Sequence, residues 1–205
     1  MNSIMQIDLT GTALRRAEAR DWEKVADITA EAFSEDPVTL WMSGNARGVQ
    51  SSFGILARRV YGPQGLCCLA GDEGATMWVE PGKDAKPSPL TLALFALGQM
   101  RYGTPGVLKR TLDLMGLMEH HHPREPHMYL FTIGTRKSAR GKGLGKALLA
   151  PVLAACDREG VPVYLENSNP ANSGFYAAHG FERRAIFEVC EGGPVMEPMW
   201  REPRV

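Results

Sequence analysis

The stretch that most constrains this chain runs from His127 to Lys146, HMYLFTIGTRKSARGKGLGK. Met128, Leu130, Phe131 and Ile133 are apolar or β-branched and predict a buried strand. Gly134 to Ala139 mixes glycine, hydroxyl and basic residues and predicts a turn. Arg140-Gly141-Lys142-Gly143-Leu144-Gly145 follows, and the apolar sequence ALLAPVLAAC predicts a helix leaving directly from it. A glycine-rich backbone at a helix N-terminus presents unpaired N–H groups with no β-carbons in the way. With Arg136, Lys137, Arg140, Lys142 and Lys146 around it, such a turn is built to hold phosphate.

The totals leave room for that site and exclude other classes. At 205 residues, one domain spanning 1–205 is expected, with a substantial core. Lys and Arg together number 23, equal to Asp and Glu, so no global field draws the chain to nucleic acid or to an anionic membrane. The basic cluster is local, and no aromatic residue lies between Phe131 and Tyr164 to stack bases. The N-terminus lacks the charged and apolar regions of a secretory signal, and the apolar run Leu90 to Met100 is too short for a bilayer. Cys67, Cys68, Cys156 and Cys190 form no CxxC pair and read as reduced residues of a cytoplasmic protein. In a strand, Cys67 and Cys68 would point to opposite faces. Glu119-His120-His121-His122-Pro123, with His127, lacks the spacing of a structural zinc site, so a solvated loop and no metal are expected.

The remaining chain alternates helices and strands. Ala13–Ala17 predicts a first strand, and Asp21 an N-cap for a helix through Phe33 that ends at Asp36-Pro37. Val49, Phe53, Leu56 and Val60 mark a second amphipathic helix closed by Gly62-Pro63. Leu66–Ala70 and Ala75–Val79 flank the turn Gly71–Gly74 as a hairpin. Gly103–Gly106 splits helical sequence from Leu90 to Glu119. Val161–Glu166 is a strand and Ser173–His179 a short helix stopped by Gly180. Strands near Ala185–Cys190 and Val195–Trp200 finish a mixed α/β domain.

Three phosphate-loop patterns compete for RGKGLGK. A Walker A loop fails because Ala147, not a hydroxyl residue, follows Lys146. A dinucleotide fingerprint fails because Gly141, Gly143 and Gly145 run GxGxG. The pattern [Q/R]xxGx[G/A] is met by Arg140, Gly143 and Gly145. On these residues the segment resembles the acetyl-coenzyme A binding motif of the GNAT superfamily of N-acetyltransferases. Downstream, Asn172, Tyr176 and Gly180-Phe181 match that superfamily in order and spacing. AFSEDPVTLW, TMWVEPG and GGPVMEPMWREP are similar to puromycin-type bacterial acetyltransferases.

The resemblance implies a central mixed, mostly antiparallel sheet flanked by helices and split between its fourth and fifth strands. It implies acetyl-CoA as co-substrate, without metal, and direct transfer to a primary amine of a small molecule or peptide. Ile133, Gly134 and Thr135 would meet the pantetheine arm. Arg140, Gly141, Lys142, Gly143, Leu144, Gly145 and Lys146 would wrap the pyrophosphate, and Asn172 would bond the arm. Tyr176, beside the sulfur, would protonate the leaving thiolate. Glu166 is a candidate base, with the alternative of a salt-bridged strand residue that touches no substrate, and with His127 and a water chain left open. Trp41, Trp78 and Met115 are conceivable pocket walls, with core packing as the other reading. A non-catalytic acyl-CoA binding module remains the alternative, and monomer and homodimer are both open.

Overall fold

A computed structural model describes residues 5–83 and 85–204. Its strands are β1 (Leu14–Arg16), β2 (Leu66–Ala70), β3 (Gly74–Val79), β4 (Met128–Thr135), β5 (Val163–Asn167), β6 (Glu182–Arg183), β7 (Phe187–Glu188) and β8 (Val195–Arg201). Sheet order is β1-β2-β3-β4-β5-β8-β6, with β7 on the far part of β8. Only β4 and β5 run parallel; the other pairs are antiparallel.

The helices are α1 (Trp22–Ala32), α2 (Pro37–Ser43), α3 (Ala46–Leu56), α4 (Gly62–Gln64), α5 (Pro89–Tyr102), α6 (Val107–His121), α7 (Leu144–Glu159) and α8 (Ser173–Ala178). Two cores cover the two sheet faces. Val25, Ile28, Phe53, Leu69 and Met77 cluster on the α1–α3 side, while Met128, Leu130, Leu149, Val152 and Leu165 cluster on the α7 side. Cys67 joins the first cluster and Cys68 the second, as period-two alternation requires.

Several local expectations change. Asp21 makes no side-chain cap on α1. Its carboxylate instead takes both guanidinium nitrogens of Arg15 at 2.6 Å and the Glu18 N–H at 2.9 Å. Asp36-Pro37 does not merely end α1. Asp36 caps α2, accepting from Thr39 N–H at 2.9 Å, with proline in the first turn where its missing donor costs nothing. Asn45 caps α3 in the same way. That helix passes into a π-turn over Ala57–Tyr61, closed by Gly62 N–H on the Ala57 carbonyl. Helical backbone then continues through Gly62-Pro63 to Gln64.

The site is positioned by two irregularities of β4. Its parallel pairing with β5 covers only Met128↔Val163, Tyr129↔Tyr164 and Leu130↔Leu165. Beyond Leu130, β4 continues to Thr135 along β3 while β5 continues along β8, so the sheet splits there. The β3 register also slips. Met77 opposes Thr132 and Trp78 opposes Leu130, which leaves Phe131 as a bulge residue. Tyr129 and Phe131 therefore join the α1–α3 core, whereas Ile133, two residues further on, packs with the α7 core.

Candidate functional site

From Phe131 onward, the β4 backbone groups that face β5 have no ladder partner among the described residues. Unpaired strand N–H and C=O groups require another polar chain or water. They open onto a cleft of about 1220 Å³ that Ile133, Gly134, Thr135, Arg140, Glu166, Asn172 and Tyr176 all line. Gly141, Lys142, Gly143, Leu144, Gly145 and Lys146 are not among its walls; they follow Arg140 outside it. Gly134 has its own structural reason, since a β-carbon there would lie 2.6 Å from Ala32 Cβ on α1.

The glycine turn has the form its sequence requires. Gly141 and Gly143 sit at φ 76° and 77°, in the left-handed region, and α7 starts immediately after Gly143. No side chain caps that helix, so its first N–H groups face outward. A β-carbon on Gly145 would touch the Phe175 ring at 3.1 Å.

The cations around this turn are not a free patch. Arg136 pairs with Glu31 at 2.5 Å, Lys137 with Glu35 at 2.6 Å, Arg140 with Glu35 at 3.7 Å and Lys142 with Glu73 at 3.9 Å. Glu31 also accepts the Lys137 N–H at 2.9 Å, and these donors hold its carboxyl below the ordinary range. The turn is thus clamped to the end of α1, a role its composition does not reveal.

On the β5–α8 wall, Tyr176 is buried. Burial, then the nearby Asp36 charge, pushes its phenol well above the usual tyrosine value, so it stays protonated and able to donate. Asp36 accepts from Ser168 Oγ at 2.6 Å, joining the start of α2 to the loop after β5. Burial raises the Asp36 carboxyl, partly countered by these hydrogen bonds.

Glu166 faces away from the Val163–Leu165 side, and its side chain is only 2% exposed. His122 Nδ1 stands 3.4 Å from Oε1, and its imidazole is 34% exposed. The rings of Tyr129 and Tyr164 stand edge-on to His122, at 4.9 and 5.1 Å. Burial and then the Glu166 charge raise both phenols, and the same two causes raise Tyr61. A buried carboxylate therefore sits among three neutral phenols with one imidazole leading toward water.

This corrects the solvated-loop expectation for His120–His122. His120 and His121 belong to α6, and His121 bonds the Leu117 carbonyl at 2.8 Å and stacks on Phe187. His127 is buried with Nδ1 on the Glu125 carbonyl at 2.6 Å, and burial lowers its pKa. Among the described residues no cluster of three or more His, Cys, Asp or Glu could hold a metal. Trp78 is core, Trp41 packs behind the cleft-lining Val38 without lining the cleft itself, and Met115 lines the cleft while 46% exposed.

A family model described as the acetyltransferase (GNAT) family matches residues 84–181, a span containing the strand, turn, helix and Tyr176. An uncharacterized N-acetyltransferase of Schizosaccharomyces pombe is 26% identical over 209 residues, covering 93% of this chain and 83% of that protein. Over that span, just under half of its length, the chain matches the GNAT family of N-acetyltransferases. A solved Corynebacterium glutamicum protein, described as histone acetyltransferase HPA2 and related acetyltransferase, shares the fold. It gives a TM-score of 0.68 at 24% identity, covering 94% of this chain and 96% of that one. The match to the GNAT family implies acetyl-CoA as the acetyl donor. Among the described residues, no helix of this acetyltransferase is long and apolar enough to cross a membrane.

The residues that sequence reasoning missed around the site are His122, Tyr61, Tyr129 and Asp36. Only Tyr129 carried a signal, one position from the alternating apolar residues of β4. The other three come from distant elements and meet only in the folded chain.

Proposed function

We propose that this protein transfers an acetyl group from acetyl-CoA directly to a primary amine of a small molecule, with Tyr176 as general acid and Glu166 as general base. The observation that carries this reading is the split between β4 and β5, with both residues lining one cleft that opens at the split. The cleft fits the co-substrate. Unpaired β4 groups at Ile133–Thr135 suit the amide-rich pantetheine arm, Asn172 lines the same cleft, and the α7 N-terminus with its two left-handed glycines suits the pyrophosphate. Bound there, acetyl-CoA supplies an activated thioester.

Glu166 accepts a proton from the acceptor's ammonium, freeing the nitrogen lone pair. The C–N bond forms as the C–S bond breaks, Tyr176 gives its proton to the departing sulfur, and the second proton shed by the acylated nitrogen restores the Tyr176 phenol. Unpaired β4 N–H groups can stabilise charge on the carbonyl oxygen. The puromycin-like stretches and the recessed position of Glu166 both favour a small-molecule acceptor over a protein surface.

Coenzyme A at about a hundred times its Kd should stabilise the fold by ~2.7 kcal/mol, raising Tm by about 5–10 °C. An unchanged Tm overturns the cofactor assignment. Tyr176→Phe should lower kcat by about 10²-fold while leaving coenzyme Kd within twofold. Full activity in that variant removes Tyr176 from the acid role.

A further inference from the structure

The acceptor half of the cleft has a composition of its own. Three buried carboxylates line the whole cleft: Asp36, Glu80 and Glu166. Asp36 is engaged by the α2 cap and Ser168, and Glu80 is paired with Lys83 and accepts the Met5 N–H. Glu166 has no lysine or arginine partner among the described residues. It is the buried anion left to receive an ammonium group.

What surrounds that anion is aromatic. Tyr61 and Phe131 stack at 3.8 Å with rings 9° apart, and Tyr129 lies 6.3 Å from Phe131. Tyr61 reaches this place through the π-turn and Phe131 through the β4 bulge. Phe33 and Phe53, tilted at 5.1 Å, and Phe95 of α5 line the same cleft. Flat apolar walls bind flat apolar groups, and ring faces attract a cation held close to them. Two buried hydroxyls that line the cleft, Thr111 Oγ1 and Thr132 Oγ1, have no hydrogen-bond partner among the described residues. Each such group costs free energy until a ligand or water satisfies it.

Resting on the acetyltransferase reading above, we infer that the acceptor is an arylalkylamine: a primary amine joined by a short alkyl tether to an aromatic ring bearing a hydroxyl or N–H. The ammonium meets Glu166 and the tyrosine rings, the aryl group lies along the Tyr61–Phe131 wall, and the ring substituent meets Thr111 or Thr132. A polyamine would need a second buried, unpaired carboxylate on this wall, whereas the further cleft residue Glu119 is exposed. A peptide N-terminus would need backbone partners where the wall offers aromatic side chains.

The test is thiol release from acetyl-CoA with tyramine, 2-phenylethylamine, hexylamine, spermidine and a short peptide, alongside coenzyme A binding by calorimetry. The expected kcat/KM for tyramine exceeds that for hexylamine, spermidine and the peptide by at least about tenfold. Preference for spermidine or the peptide, or equal rates for hexylamine and tyramine, overturns the acceptor class while leaving the acetyltransferase reading intact. Failure to bind coenzyme A sinks that reading itself. Phe131→Leu should raise KM for tyramine by about fivefold with coenzyme Kd unchanged. Phe95→Ala provides a second variant on the wall should the first not fold. An unchanged tyramine KM in the variant that binds coenzyme A normally overturns the aromatic wall as the binding surface.

Discussion

Among single residues, the pair that matters most joins Glu166 to His122. In the proposed mechanism Glu166, whose side chain is 2% exposed, must pass its proton onward before the next turnover. The imidazole 3.4 Å away, one-third exposed, offers the route from carboxylate to water. Groups facing Glu166 from its neighbours are Tyr61, Tyr129, Tyr164, His122 and His127; burial raises the phenols, which stay neutral. On that proposal His122 is a positioning residue acting through Glu166. Glu166→Gln should lower kcat by about 10²-fold or more, and His122→Gln by about tenfold with coenzyme Kd unchanged. The double variant should be no worse than Glu166→Gln alone, because both losses lie on one proton path. Additive losses would separate the two residues. Glu166 was legible as a strand residue facing away from the core side, but His122 was not. A histidine at the end of α6 meets β5 only through tertiary packing across 44 positions.

At the level of elements, the glycine turn was readable because its chemistry is local: positive φ, missing β-carbons and a helix start lie within seven residues. The β4 bulge and the π-turn were not. An added residue in a strand or helix changes no residue type, so Phe131 and Tyr61 looked like ordinary apolar positions until their partners were known. The three glycines of the turn also prove to serve different ends. Gly143→Ala meets no atom within 4 Å, yet at φ 77° it should cost about 1–2 kcal/mol and weaken coenzyme binding as the turn distorts. Gly145→Ala keeps an ordinary helical backbone but pushes on Phe175, whose ring lies 5.3 Å from that of Tyr176. Its main effect should fall on kcat. Calorimetric Kd for coenzyme A, measured beside kcat for both variants, distinguishes the two; identical profiles would mean the turn responds as one unit.

Across the whole molecule, the split sheet must stay joined although its fourth and fifth strands share only three residue pairs. Part of that joining is ionic. Arg201 of β8, 3% exposed, gives both terminal nitrogens to Asp157 of α7 at 2.6 and 2.8 Å and its Nε to the His179 carbonyl at 2.9 Å. Asp157 also accepts the Arg204 N–H at 2.7 Å. One carboxylate thus ties the end of α7 to β8 and, through Arg201, to the end of α8. The Arg201 hydrogen bonds hold the Asp157 carboxyl below its usual value against the opposing cost of burial, and the Arg204 N–H adds a smaller lowering. Glu31, clamping the glycine turn, is depressed too. A carboxyl whose folded pKa lies below its unfolded one adds stability above the unfolded pKa, near 4, and loses it as pH falls through the folded value. Tm should therefore be steady from about pH 5 to 7 and fall below about pH 4. Asp157→Asn leaves the buried Arg201 without its anion, which should cost about 3 kcal/mol, or roughly 6–12 °C in Tm at neutral pH. The variant should also lose part of the acid-dependent decline, having no proton left to take up at that site. A thermal melt series at pH 3 to 7 on both proteins tests this, and parallel curves would show that the Asp157–Arg201 tie contributes nothing to the pH dependence.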